Sequence, residues 1–387
     1  MRYVDSIFGS LLKPIDRHWF RTVVERHAGD AYVKSFTSWD HLVALVFAQL
    51  SHVDSLRGLE LAFNANAHAH YHLGVEGLSR STLSDASARR PTQIFAETLA
   101  MLSASADRRT RQEGAAMVQL IDSSPIPLGK LCQWPTWNGR IRGMKLHVVY
   151  DPQADCPSCI EITPATVNDV EVGRRTPIKS GTTYVFDKGY CHFGWWRKIN
   201  DDGAFFVTRA KLNMRLRATR RRAVEQSIGD GFAVIDDAEV VLTSKGNARL
   251  PIPLRRIRVK RANGARITLI TNDLARSARE IAALYKGRWQ IELLFRWIKQ
   301  HLRIRKFLGI NENAVRLQIL AAMIAYLLLR IAARVHNIIM PALRLAELVC
   351  QRMFLRRPLA EIDKPPPFHP SKRQLNSSPY QMDFCYA

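Results

Sequence analysis

The segment around residue 290 places one carboxylate among cations and a tyrosine, a set that could act on a phosphate ester. The residues are Tyr285, Arg288, Glu292 and Lys299, at the spacing Y-x2-R-x3-E-x6-K. At about 100° per residue, one helix would hold all four within an arc of roughly 60°. Arg296 would project close by. The pattern predicts a helix that buries one apolar stripe and presents Glu292 and its cationic neighbours beside it.

Two aspartates could complete a metal site with that glutamate. Asp122 follows the apolar run 117–121, and Asp187 follows the apolar run 184–186. If both runs are strands and lie side by side, their backbones are about 4.8 Å apart. The two carboxylates, each expected at the end of its strand, could then share divalent cations, because Mg²⁺ prefers hard oxygen ligands. Asp151 and Asp169 are the alternative ligands if either assignment is wrong.

A simpler interpretation of the helix also accounts for its charges. Glu292 could pair with Arg288 and Arg296 at i,i+4 spacing on a solvated face. That interpretation leaves the spacing of the four residues unexplained. Trp289, in the same segment, is expected to lie in the core.

The chain before this helix alternates between strand and helix patterns. The apolar runs predict an α/β sheet with mixed pairing, in the order β-β-β-α-β-α-β. The predicted strands are 117–121, 143–151, 159–163, 184–186 and 204–208, and the predicted helices are 168–179 and 195–200. Residues 212–271 have a β-rich pattern, and the pattern from about 275 to 305 is helical.

The charge of the chain indicates a polyanionic partner. Its 387 residues include 57 Lys+Arg and 34 Asp+Glu, for a net charge of +23. Residues 205–310 alone hold 24 Lys+Arg and 8 Asp+Glu, a difference of +16. Within them, Arg256, Arg258 and Lys260 alternate along one strand face before an Asn263-Gly264 turn, which predicts a hairpin with one basic face. That face could be merely solvated, or it could contact DNA phosphates.

Several classes of protein are not expected. The first 12 residues have no signal-peptide core, and six cysteines in this length do not make a disulfide framework. The longest apolar run, 319–329, is too short to cross a membrane and predicts a buried helix. We expect a cytoplasmic protein that associates with the nucleoid when bound to DNA, and no membrane partner.

Local motifs around these residues resemble the DDE transposases of the bacterial insertion-sequence-four family, with their YREK signature. The segment 285–292 resembles the family's Y-x-x-R-W-x-I-E core. The segments 120–123 and 186–190 resemble those that carry its first and second aspartates, and the stretch 8–51 resembles its N-terminal domain. The resemblance covers roughly residues 5–340.

This resemblance implies an RNase H-like catalytic core interrupted by a β-rich insertion. The first Asp would lie on the first strand, the second on the neighbouring fourth strand, and the acidic helix would pack across them. The implied layout is a helical N-terminal DNA-binding domain (1–105), the first part of the core (106–211), a basic insertion domain (212–272), the acidic helix of the core (273–312), a helical C-terminal region suspected of dimerisation (313–362) and a Pro-rich tail (363–387).

The resemblance also implies a reaction. Asp122, Asp187 and Glu292 would be the catalytic residues and the ligands of two divalent cations, Mg²⁺ or Mn²⁺. The element's ends would be hydrolysed, in many members through a DNA hairpin, and the 3′-OH ends joined to target DNA. The partners would be terminal inverted repeats, target DNA and a second copy of the chain. The residues expected to bind DNA are Tyr285, Arg288, Lys299, Lys188, Arg296, Arg256, Arg258 and Lys260.

Two other functions remain open at this point. The chain could be a DNA-binding relative without catalysis, or an RNase H-like nuclease that hydrolyses DNA without joining strands. Terminal inverted repeats beside the gene and strand-joining activity would distinguish the transposase from these.

Overall fold

The computed structural model describes residues 5–112, 117–224, 232–243, 250, 252–301 and 307–364. Helices form both ends of this described chain and strands form its middle. The helices are α1 Ile7–Leu12, α2 Arg17–Arg26, α3 Ser38–Leu50, α4 Leu56–Asn64, α5 Ala67–Leu73, α6 Arg80–Arg89, α7 Thr92–Gln112, α8 Asp169–Arg175, α9 Phe193–Asp201, α10 Ala278–Gly287, α11 Trp289–His301, α12 Glu312–Val335 and α13 Ala342–Arg352. The strands are β1 Val118–Pro127, β2 Gly143–Asp151, β3 Cys156–Pro164, β4 Thr183–Phe186, β5 Phe205–Arg209, β6 Leu216–Arg221, β7 Phe232–Leu242, β8 Leu254–Arg261 and β9 Arg266–Thr271.

The strands form one nine-stranded sheet in the order β3-β2-β1-β4-β5-β9-β8-β7-β6. Strands β1, β4 and β5 run parallel, and the other neighbours pair antiparallel. The expected order of strands and helices over 117–208 is therefore confirmed. The β-rich segment expected as an insertion extends the same sheet, because β9 pairs with β5.

Both faces of the sheet are covered at β4, where alternate side chains point to opposite faces. On β4, Tyr184 and Phe186 pack with Trp195 and Trp196 of α9 on one face. Val185 points to the other face and joins the larger core, which includes residues of α10, α11 and α12. This double burial explains why the three residues directly before Asp187 are all apolar.

The two aspartates follow neighbouring strands, as expected. The last parallel pair of β1 and β4 is Ile121 with Phe186, so Asp122 and Asp187 both come directly after it. The expectation that Asp122 ends its strand is wrong. Strand β1 continues to Pro127, because its other edge remains paired with β2.

The single helix expected over about 275–305 is two helices that meet at Arg288. The Arg288 N–H donates to the Tyr285 carbonyl at 3.2 Å, and the Ile291 N–H donates to the Arg288 carbonyl at 3.2 Å. Both bonds span three residues rather than four, so the α-helical ladder is interrupted there. The expected continuation over 302–305 lies outside the described residues.

Helix α12 is the centre of the helical part of the chain. By length and composition it could cross a membrane, the one such helix in the described ranges, but 83% of its most apolar window is buried inside the protein. It packs against α3, α6 and α7, which confirms the buried helix expected over 319–329. That burial leaves little of α12 for the suspected dimer contact. The Pro-rich tail, from residue 365 onward, lies outside the described residues.

Candidate active site

Two of the three predicted carboxylates contact the guanidinium of Arg288. Its Nη1 donates to Asp122 Oδ2 at 2.9 Å, and its Nη2 donates to Glu292 Oε1. The side chains of Asp122 and Arg288 are 20% and 16% exposed, so this pair is largely shielded from solvent. Because Arg288 stands where α10 meets α11, the interruption of the helix aims its side chain between two carboxylates.

Asp187 joins the site through the tyrosine of the predicted motif. Tyr285 Oη donates to Asp187 Oδ1 at 3.2 Å from the buried end of α10. Burial, and then the negative charge of Asp187, raise the pKa of Tyr285 to about 12, so the phenol keeps its proton at neutral pH. Residues from three distant segments thus lie in one contact network.

The charge of Asp122 is unfavourable in this setting. Burial raises the pKa of Asp122 to about 6, the Arg288 cation and the Ser123 N–H oppose that rise, and the charges of Glu292 and Asp187 add to it. Both Glu292 and Asp187 are therefore close enough to affect Asp122. A partly desolvated carboxylate with anionic neighbours is a common feature of active sites.

The donor set fits a divalent cation such as Mg²⁺ or Mn²⁺. Three carboxylates offer hard oxygen ligands, and the Arg288 guanidinium now provides the positive charge between Asp122 and Glu292. In the described ranges, no three His, Cys, Asp or Glu residues are grouped closely enough to hold a metal ion. Arg288 binds Asp122 Oδ2 and Glu292 Oε1, two of the oxygens that such a cation would use.

The pKa of Asp122 gives a prediction about stability. A folded-state value near 6, above the ordinary 3.8, means that the folded chain holds more protons between those pH values. The free energy of unfolding should therefore fall as pH rises from about 4 to 6. Asp122→Asn should be more stable than wild type by about 2–3 kcal/mol at pH 7.5, and should lose that advantage at pH 4.

Urea unfolding of both proteins at the two pH values measures this difference. The exposed Asp202→Asn is the matched control and should match wild type at both. An Asp122→Asn variant that is equally stable as wild type at pH 7.5 would contradict the prediction.

The other predicted DNA-binding residues of this region stand close to the carboxylates along the chain. Lys188 is exposed in the 3₁₀ turn directly after Asp187. Lys299 is half-buried on α11, seven residues or about 10 Å along the helix from Glu292. The Arg296 guanidinium lies over the Trp289 ring, 5.5 Å from its centre. Trp289 is 50% exposed, so the expectation of a core tryptophan is wrong.

The predicted basic face is only partly free. Arg256, Arg258 and Lys260 share one face of β8 while Ile257 and Val259 are buried on the other, as expected. Arg256 is bound to Asp236, with Nη2 to Oδ2 at 2.9 Å. Arg258 and Lys260 remain exposed, although Arg258 Nε lies 3.8 Å from Asp236 Oδ2.

Two features of the site escaped the sequence interpretation. An apolar cavity of about 400 Å³ adjoins Tyr285, Arg288 and Trp289 and is lined on its other side by Val259 and Leu269 of the β-rich segment. Ser123 and Lys145 also form a polar cluster with Asp169 beside Asp122. The sequence did contain one indication of that cluster, since Lys145 is a charged residue on a strand that is otherwise buried, and such a residue needs a polar partner.

Comparison with known proteins gives the family. A family model described as a transposase DDE domain matches residues 113–328, a range that contains all three carboxylates. A second model, described as a domain of unknown function, matches residues 4–76.

Individual relatives have transposase names. One from Sinorhizobium fredii, named as transposase y4zB, is 63% identical over 79% of this chain and 85% of its own. One from Geobacillus stearothermophilus, named as a transposase for insertion sequence element IS5377, is 30% identical over 66% of this chain and 68% of its own.

One solved structure also aligns with the chain. It is a cryo-EM structure of the piggyBac transposase synaptic complex with hairpin DNA, with a TM-score of 0.49 and 11% identity, over 97% of this chain and 84% of its own. That likeness is too weak to assign the fold. The family model, which spans more than half of the chain, and the relative at 63% identity are sufficient: this chain belongs to the transposase DDE domain family.

Proposed function

We propose that the chain cleaves the ends of an insertion sequence and joins the resulting 3′-OH ends to target DNA in a cut-and-paste reaction. The observation that carries this proposal is that Tyr285 and Arg288 contact, between them, the three carboxylates Asp122, Asp187 and Glu292. These residues are 65 and 105 positions apart in the chain, so only the fold brings them together. The family membership supports the same reaction class.

The three carboxylates would be the metal ligands. Bound divalent ions would lower the pKa of a water or 3′-hydroxyl and stabilise the leaving oxygen during in-line displacement at phosphorus. The chain's own residues would orient the DNA. Arg288, once released from Asp122 or Glu292, would have its bidentate donors free for phosphate oxygens.

We further propose that Tyr285, Arg288 and Lys299 hold the cleaved end, as in the insertion-sequence-four family with its YREK signature. Their spacing supports this assignment, and so does the cavity beside Tyr285 and Trp289, because a base displaced from the duplex needs an apolar, aromatic place to lie. Lys188 and Arg296 are close enough in sequence to the carboxylates to bind flanking phosphates.

An RNase H-like core is proposed on three observations. Asp122 lies on β1, Asp187 follows the neighbouring β4, and α11, which carries Glu292, packs against β1. The helical N-terminal part would then bind DNA, and a second copy of the chain would pair the two ends. Such a protein would act in the cytoplasm, on the nucleoid.

The exposed cations of β8 give a prediction about DNA affinity. Arg258→Ala with Lys260→Ala should lower the slope of log affinity against log salt concentration by about 2, if each side chain contacts one phosphate. Arg256→Ala should change the slope little, because Asp236 already holds that guanidinium. Fluorescence anisotropy with a labelled duplex at several salt concentrations measures the slope. An unchanged slope in the double variant would remove this face from the DNA interface.

The proposed reaction is tested by excision from a plasmid that carries the gene's flanking DNA with both presumed ends. Purified chain and Mg²⁺ should release the element and join its 3′-OH ends to a second plasmid. Cleavage without joining would favour the nuclease. Binding to the ends without cleavage would favour the non-catalytic relative. A plasmid with both ends scrambled is the control and should remain intact.

A further inference from the structure

A polar cluster stands beside Asp122, formed by side chains from β1, β2 and α8. Asp169 Oδ1 accepts hydrogen bonds from Ser123 Oγ at 2.7 Å and from Lys145 Nζ at 3.0 Å. Asp169 Oδ2 faces Gly189, where an added Cβ would lie 3.9 Å away. Asp169 therefore lies between the segment that follows Asp122 and the segment that follows Asp187.

Ser123 connects this cluster to Asp122. Its backbone N–H donates to Asp122 Oδ1 at 2.9 Å, while Asp122 Oδ2 is held by Arg288. Ser123 stands where β1 no longer pairs with β4, so one edge of its backbone has lost its strand partner. The bond from its hydroxyl to Asp169 restrains the chain at that point, and with it the N–H that orients Asp122.

The charges of the cluster are balanced within it. Lys145 Nζ donates to Asp169 and also to the Val167 carbonyl at 2.8 Å, and its side chain is only 15% exposed. His147 Nδ1 lies 3.9 Å from Asp169 Oδ1, but burial lowers the pKa of His147 to about 4, so it is neutral at pH 7. Asp169 is thus neutralised by Lys145, which suits a structural partner of the site better than a metal ligand.

The other alternative ligand is also engaged elsewhere. Asp151 Oδ1 accepts from the backbone N–H groups of Gln153 and Ala154 and so closes the turn after β2. Neither of the two alternative carboxylates, as they stand in the described chain, is free to replace Asp122.

We infer that Asp169 and Lys145 are positioning residues for Asp122, which they hold through the hydroxyl and backbone N–H of Ser123. This inference rests on the proposed function of Asp122 as a metal ligand. Hydrogen bonds that orient metal ligands typically change metal affinity or activity 10–100-fold when they are removed.

The test measures metal binding apart from catalysis. Mn²⁺ is titrated into the purified full-length chain without DNA, and free Mn²⁺ is followed by electron paramagnetic resonance. Ser123→Ala should weaken Mn²⁺ binding about tenfold or more, and should raise by a similar factor the Mg²⁺ concentration that gives half-maximal cleavage of an end duplex. Ser123→Thr keeps the hydroxyl and should restore both values. Asp169→Ala, which removes the acceptor of the Ser123 hydroxyl, should resemble Ser123→Ala, and the double variant should be no worse than either single one, because both act through one hydrogen bond.

Ser158→Ala is the matched control. Its hydroxyl donates to Gln119 of the same strand β1 at 2.7 Å, but away from the carboxylates. It should leave the Mn²⁺ affinity unchanged. Thermal unfolding of each variant shows whether the fold is intact, and Asp169→Ala replaces Ser123→Ala if the latter does not fold.

The outcomes separate this inference from the proposed function. Wild-type Mn²⁺ affinity in Ser123→Ala and Asp169→Ala would overturn the inference, even if the wild-type chain excises DNA. Weakened Mn²⁺ binding in both, with no excision by the wild type, would support the inference while the proposed reaction fails. No Mn²⁺ binding by the wild type would overturn both.

Discussion

Replacing Asp187 with asparagine should lower the rate of end cleavage by at least about a thousandfold. A metal ion contributes several kcal/mol of charge stabilisation at the reacting phosphate, and each 1.36 kcal/mol is tenfold in rate. Asparagine keeps the shape of the side chain and an acceptor for the Tyr285 hydroxyl, which lies 3.2 Å from Asp187. The substitution should therefore lower the catalytic rate and leave folding intact. Single-turnover cleavage of an end duplex in Mg²⁺ measures that rate.

Glu292→Gln should have an effect of the same size, and the chain offers a close control for it. Glu292 and Glu312 both stand in the first turn of a helix. Each pairs with an arginine four residues away, Glu292 with Arg288 and Glu312 with Arg316. Glu312→Gln removes an exposed carboxylate whose arginine partner, Arg316, lies on its own helix α12, and the variant should cleave at the wild-type rate. Wild-type activity in Asp187→Asn or Glu292→Gln would remove that residue from the catalytic set.

Replacing Arg288 with alanine should lower cleavage at neutral pH by about 10–100-fold, because a displacement of the reacting groups by about 1 Å can cost about a hundredfold in rate. The Arg288 cation restrains the rise in the pKa of Asp122, so without it that pKa should exceed 6 and more of the carboxylate should be protonated. Arg288→Lys should not restore the rate, because an ammonium cannot reach both Asp122 and Glu292 with a fixed fork of donors.

Arg296→Ala separates this effect from simple loss of positive charge. Arg296 is exposed on the same helix and stacks on Trp289 without a hydrogen bond to the carboxylates. Its loss should weaken DNA affinity but leave the rate at saturating DNA near wild type. Arg288→Ala should lower that saturated rate. If Arg288→Ala changes affinity alone, Arg288 is a phosphate contact and has no role in holding the carboxylates.

The pattern of the sequence was sufficient for most of the secondary structure. The strand expected over 143–151 is the strand observed, and the hairpin expected at Asn263-Gly264 joins β8 to β9. Both were predictable because alternation and turn chemistry depend on residues close together in the chain. The break at Arg288 was not predictable in this way, since a residue with helical dihedral angles can still stand at an interruption of the hydrogen-bond ladder.

The sequence was also sufficient to predict which side chains form the candidate site, because Tyr285, Arg288 and Glu292 stand at a specific spacing within one short segment. What those groups contact was decided by the tertiary structure. The bond from Arg288 to Asp122 joins residues 166 positions apart, and the pairing of β5 with β9 merges the β-rich segment into the main sheet. Support of Ser123 by Asp169 likewise spans 46 positions. Such contacts depend on which elements pack side by side and on how much solvent they exclude. The periodicity of residues within a single helix or strand contains no information about its packing partners or about the solvent that they exclude.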